Sequence, residues 1–172
     1  MKAIISIGCT MFAGVTLVAL AAGGAKMDIT SSAFQEGGTI PEKFSKNGQN
    51  VNPELRIEGV PADAKGLALI VDDPDAPVGL FTHWLVWNID PKTTHIAEGN
   101  APNGAVQGKN DFGDVGYGGP QPPSGTHRYF FKVFALNGPL DLKPGAKRKD
   151  VDAAMKGHVI TQGQLMGRYS KK

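Results

Sequence analysis

The chain has 172 residues, enough for one domain with a full core and too few for two comfortable ones. Its 18 Lys and Arg nearly balance 16 Asp and Glu, and no basic stripe is interleaved with aromatics, which argues against a nucleic-acid partner. The 23 glycines and 12 prolines are dispersed along the chain, so they predict many turns between short strands and not a disordered tract. Met1-Lys2, an uncharged and mostly apolar run from Ala3 to Ala22, and the small-residue pattern Ala19-Leu20-Ala21 have the layout of a secretory signal peptide. Residues 1–25 are therefore expected to be a leader cut within 21–25, and 26–172 a single domain in the periplasm or outside the cell. An uncleaved membrane anchor is the alternative, and Gly8, Cys9, Thr10 and Gly14 weaken it. Cleavage takes away the only cysteine, leaving no thiol for a disulfide, a nucleophile or a metal.

Met27 to Phe34 reads as an edge strand, followed by turn formers from Gly37 to Pro53. Leu55, Ile57 and Val60 alternate with Arg56 and Glu58, the pattern of a half-buried strand. Gly66 to Val71 is apolar on both faces and predicts a central strand. It ends in Asp72, Asp73 and Asp75, laced with Pro74 and Pro77, and His83 then opens a second apolar run to Ile89. In that run strict alternation puts His83, Leu85, Trp87 and Ile89 on one face, and Trp84, Val86 and Asn88 on the other. From Asp90 to Thr126 no periodic element stands out. A connection this long is functional or disordered, and Phe112 and Tyr117 are placed to pin it down. His127 to Leu136 is the clearest strand, with His127, Tyr129, Phe131 and Val133 on one face. Asp150 can cap a short helix to about Gly157, and Gln162 to Tyr169 reads as a last strand.

Two strands thus begin with a histidine, each after a proline-bearing loop. If His83 and His127 start at the same sheet end, Asp73 and Asp75 can join them. An Asp–His pair can hold a cationic donor suited to phosphate or carboxylate. Gly118 and Gly119 let backbone N–H groups approach an anion, and Tyr129 can add a hydrogen bond.

Asp73-Pro74-Asp75-Ala76-Pro77 with His83-Trp84, then Tyr117-Gly118-Gly119-Pro120-Gln121-Pro122-Pro123 and Gly125-Thr126-His127-Arg128-Tyr129, closely resemble the phosphatidylethanolamine-binding protein family, in its bacterial Raf kinase inhibitor-like branch. The resemblance runs from about Met27 to Tyr169 and includes Asn50-Val51-Asn52-Pro53 and the glycine pattern that closes the chain from Gly157. It implies a mostly β, sandwich-like fold of two antiparallel sheets with one or two short helices. It also implies a pocket for anionic groups such as phosphate or a phosphorylated headgroup, formed by Asp73, Asp75, His83, Gly118, Pro120, His127 and Tyr129. A cis Ala76–Pro77 bond is part of the same pattern. The longer C-terminal helix of animal members is not visible, which argues against animal-type membrane or kinase regulation.

The leading expectation is an exported, non-catalytic binding protein for a small anionic or phosphate-bearing ligand, with no cofactor. Membrane contact is expected only through the leader or a lipid headgroup. One alternative is an inhibitor that binds an extracytoplasmic kinase or protease. A weak Asp/His-dependent hydrolase is another, but Ser124 and Thr126 have no activating context around them. A metal site from Asp73, Asp75, His83 and His127 would follow no dense ligand motif.

Overall fold

The computed structural model describes residues 26–171; the expected leader, with Cys9, lies outside the described residues. In chain order the strands are β1 (Asp28–Thr30), β2 (Leu55–Glu58), β3 (Gly66–Asp73), β4 (Phe81–Ile89), β5 (His95–Ile96), β6 (Val106–Gln107), β7 (Thr126–Leu136) and β8 (Val159–Ser170). Among the described residues one helix, α1 (Arg148–Met155), precedes β8, and one 3₁₀ turn spans Glu42–Phe44.

All eight residues of β3 are buried, because β3 is the middle strand of a five-stranded antiparallel sheet, order β6-β4-β3-β7-β8. Its alternation sorts two cores. Leu67, Leu69 and Val71 face inward and pack with Phe131 and Val133 of β7 against the small antiparallel sheet β1-β2-β5, which supplies Ile29, Leu55, Ile57 and Ile96. Ala68 and Ile70 face the other way, with Leu85 and Trp87, onto Val151 and Met155 of α1. Burying each large aliphatic side chain contributes about 1.5–3 kcal/mol, and a strand covered on both faces collects that from Leu67, Leu69 and Val71 on one side and Ile70 on the other. The result is a two-sheet sandwich with a helix on its outer side, the mostly β fold that the sequence predicts.

Three features differ from the sequence expectations. Asp150 is not the cap residue of α1 but lies inside its first turn, where its carboxylate accepts the Lys147 N–H at 3.1 Å. The last strand begins at Val159, three residues earlier than its alternation suggests. The Ala76–Pro77 bond is trans, as are all peptide bonds of the described residues. Gly79 N–H donates to the Ala76 carbonyl at 2.9 Å, so Pro77 is the second residue of a β-turn. That position takes the fixed proline φ with a trans bond, whereas a cis-prolyl turn carries its proline one position later.

The fourth difference positions the site. β4 carries two bulges against β3, one between the pairs Val71–Trp84 and Asp72–Thr82, the other between Leu67–Ile89 and Leu69–Val86. His83 is the extra residue of the first, and Asn88, at φ 56°, falls in the second. A bulge resets which face the following side chains take. Strict alternation would send His83 and Ile89 outward with Leu85 and Trp87; instead Ile89 joins the inner core, and the His83 ring meets Tyr129, an inner-face residue of β7, at 5.1 Å.

The long connection after β4 is ordered by specific bonds. Asp111 and Thr82 exchange two hydrogen bonds, Thr82 N–H to the Asp111 carboxylate at 2.6 Å and Asp111 N–H to the Thr82 carbonyl at 2.9 Å. The Tyr117 hydroxyl donates to the Phe44 carbonyl at 3.0 Å, and its ring stands edge-on to Trp84 at 5.6 Å. The aromatic anchors expected from the sequence hold this segment over the entry of β4.

Candidate functional site

β4 and β7 both run antiparallel to β3, so the carboxylates at the exit of β3 sit between the entries of the other two strands. Asp73 continues the inward series of Leu67, Leu69 and Val71, and His127 shares the inward face of β7 with Tyr129. The bulge brings His83 to the same side. Asp73, His83 and His127 are buried, at 3%, 3% and 6% exposure.

The Asp73 carboxylate accepts the His127 Nδ1–H at 2.7 Å with one oxygen and the Asp75 N–H at 2.8 Å with the other. This fixes the His127 tautomer and leaves Nε2 as its unpartnered nitrogen. His83 Nδ1–H donates to the Gly118 carbonyl at 2.7 Å. Burial pushes the His83 imidazole below its ordinary pKa, outweighing the Gly118 carbonyl and the Asp73 charge, which favour protonation. His83 is thus a neutral ring at neutral pH, with Nε2 free to accept.

Above these groups lies a cavity of about 260 Å³. Asp73, His83 and His127 form its polar floor, and Ala76, Pro77, Val78, Phe81, Phe112, Gln121 and Pro123 line the rest. Phe81, His83 and Phe112 pack as mutually tilted rings, with centroids 4.8–5.4 Å apart. Beside them Tyr129 is fully buried, and its hydroxyl has no hydrogen-bond partner among the described residues. Burial and then the Asp73 charge push its pKa far up, so it stays a neutral donor.

The remaining expected site residues take other roles. Asp75 turns away from the cavity and forms a bidentate ion pair with Arg128, at 2.7 and 2.8 Å, also accepting the Arg128 N–H at 3.0 Å. The guanidinium holds the Asp75 carboxyl down at about 2. Gly118 and Gly119 do not offer their N–H groups to a ligand. Gly118 N–H donates to the His83 carbonyl at 2.9 Å, and Gly119 N–H to the Asn50 side chain at 2.7 Å. These glycines are required by close approach: a Cβ on Gly118 would lie 2.6 Å from the Phe112 ring, and one on Gly119 2.2 Å from the Phe44 carbonyl oxygen. Pro120 is buried, and its carbonyl accepts the Lys46 N–H at 3.0 Å. The segment 118–120 therefore supports His83 and does not itself line the cavity. Among the described residues no three His, Cys, Asp or Glu groups converge on a metal-binding geometry.

Phe81, Val78 and Gln121 were not legible as cavity residues, and neither was Asn50 as the residue that holds Gly119. A phenylalanine two positions before His83 reads as core on the outward face that alternation gives them both, and it is the bulge at His83 that turns the pair to the inner side.

Residues 30–170 match the family model described as phosphatidylethanolamine-binding protein. The chain belongs to the phosphatidylethanolamine-binding protein family. It is 49% identical over 150 residues to a UPF0098 protein of Methanothermobacter thermautotrophicus, covering 84% of this chain and 99% of that one. Its identity with a UPF0098 protein of Pyrococcus horikoshii is 46% over 182 residues, covering 100% and 91%. Among solved structures, a putative phosphatidylethanolamine-binding protein homologue from Chlamydia trachomatis superposes with a TM-score of 0.82 at 42% identity, covering 86% of this chain and 99% of the other. YbcL of E. coli, described as a new member of the mammalian family, gives 0.81 at 32% identity, covering 86% and 100%. As a member of the phosphatidylethanolamine-binding protein family, the chain carries the cavity and its supporting segment 118–120 entirely within the matched residues.

Proposed function

We propose that this chain is a non-catalytic binding protein for a small anionic, phosphate-bearing ligand held over Asp73, His83, His127 and Tyr129. The observation that carries this reading is the Tyr129 hydroxyl, fully buried beside the cavity floor, near Asp73 and the Gln121 backbone but with no well-formed hydrogen bond to either. A buried hydroxyl without a partner costs about 1–3 kcal/mol, which a ligand oxygen accepting its proton would recover. His83 Nε2 can accept a proton from a monoprotonated phosphate, and the Asp73–His127 pair orients a second ring nitrogen at the same place. The walls of Phe81, Phe112, Pro77 and Pro123 suit an apolar group attached to the anion.

Absence of turnover is supported by what surrounds the rings. Both Nδ1 atoms are committed, to Gly118 and to Asp73, and among the described residues no Ser or Thr hydroxyl bonds either imidazole. Thr126 instead shares a hydrogen bond with Ser170 at 2.8 Å. The composition of residues 1–25 supports export. N-terminal sequencing of the protein from an envelope fraction tests this, with a first residue between 22 and 26 expected and an intact Met1 contradicting it. A second reading, recognition of an extracytoplasmic protein by the cavity rim, is favoured by Val78, which lines the cavity and is 82% exposed.

Calorimetric titration of residues 26–172 with phosphoethanolamine tests the leading reading. Saturable binding, weakened at least tenfold in His127→Ala with the fold intact, is expected; no heat of binding, or equal binding by the variant, overturns it.

A further inference from the structure

His127 borders a second, shallow depression together with Asp75, Ser124, Thr126, Arg128 and Arg168. Two short segments separate it from the cavity. Asp75 lies on its side and Ala76 on the cavity side; likewise Ser124 and Pro123. The two depressions therefore meet along one low ridge, with His127 common to both.

The charges in this second depression do not balance. Arg128 and Arg168 are direct partners in the β7–β8 register, and both are exposed. Like charges directly opposite on neighbouring strands destabilise the pair. One of the two is compensated, because Asp75 holds Arg128 bidentately and has no further oxygen to offer. Arg168 makes no ion pair or hydrogen bond through its side chain among the described residues. One net positive charge thus sits beside the ridge, on a guanidinium whose planar fork suits phosphate or carboxylate. The Asp75 pair also holds Arg128 in place, so part of its guanidinium faces the same depression.

We infer that the ligand carries two anionic groups and bridges both depressions, with the first in the cavity at His127 and the second against Arg168 and Arg128. This rests on the reading of the cavity given above. The chemical class is a small bis-anion: a phosphate or phosphonate joined by a short flexible spacer to a second such group or to a carboxylate.

A chemical ruler tests it. Methylphosphonate and the α,ω-bisphosphonates from ethane to hexane are titrated calorimetrically against the domain and against Arg168→Gln and Arg168→Lys. The expected result is a spacer optimum at which the bisphosphonate binds about tenfold or more tightly than methylphosphonate, since the second contact becomes intramolecular. Arg168→Gln then abolishes that gain, Arg168→Lys keeps part of it, and methylphosphonate binding is unaltered. A bisphosphonate series with no optimum, a gain that survives Arg168→Gln, or an equal loss for methylphosphonate and bisphosphonates in that variant overturns the inference and leaves the cavity reading standing. Failure of methylphosphonate to bind the unaltered domain overturns both.

Discussion

Tyr129 shows most directly how this site differs from ordinary core. Its ring packs edge-on to His83 and stabilises the fold, while its hydroxyl is unsatisfied and does not. Tyr129→Phe should therefore leave thermal stability unchanged or raise it by about 1 kcal/mol, while weakening phosphoethanolamine binding about tenfold or more; a stability loss without an affinity loss would make the hydroxyl structural. His83 makes a second residue-level prediction. Burial lowers its folded-state pKa below the unfolded value, so the unfolded chain binds more protons through that range. Stability then falls as pH drops below about 6.5, and less so in a His83→Gln variant. Nitrogen-15 NMR of the imidazoles checks this, with His83 titrating below the ordinary histidine midpoint. Asp75 behaves in the same direction at lower pH. Its carboxyl is held at about 2 by Arg128, so the contribution of that pair is present above about 4 and lost as pH falls through 2.

At the scale of elements, the junctions explain what alternation in the sequence does not. Period-two alternation places Asp73 and His127 on the inner face, and the structure agrees. The same rule misplaces His83 and Ile89, because β4 holds two extra residues that no local pattern announces. The bulge is also why Phe81 reaches the cavity. The glycines at 118 and 119 were visible as close-approach positions, but what approaches them is protein: Phe112 and the carbonyl of Phe44. Gly119→Ala should accordingly cost about 1–3 kcal/mol in denaturant unfolding, through forced movement of the 44–46 backbone. On the other face, Asp72 is fully buried between Lys132 at 3.0 Å and Arg148 at 3.0 Å, tying β3 to β7 and to α1. Asp72→Ala leaves Lys132 without its acid and Arg148 with Asp152 alone, and should destabilise by about 3–5 kcal/mol. Equilibrium unfolding measures it, and a loss under about 1 kcal/mol would show that water replaces the carboxylate at little cost.

At the scale of the molecule, β3, β4 and β7 were legible because they are long and strongly patterned, and the two-sheet sandwich because two separated motifs point to one family. The site was legible in part for the same reason: the carboxylates and histidines stand at strand ends that antiparallel pairing must bring together. Asp75 was misjudged because nothing in D-P-D-A-P tells which carboxylate faces inward, and Arg128 captures the one that does not. The short strands β5 and β6, two residues each, were not legible, since they are defined by their partners β2 and β4 and not by their own pattern. What the fold accomplishes is to open one end of an otherwise filled sandwich over the side chains of Asp73, His83 and His127. The measurement that tests this most directly is imidazole nitrogen-15 NMR of the domain during titration with inorganic phosphate. The account predicts saturable shifts at Nε2 of both His83 and His127 with one common affinity, and none at His95 or His158. Shifts confined to the two outlying histidines, or no saturable shift at any of the four, would contradict it.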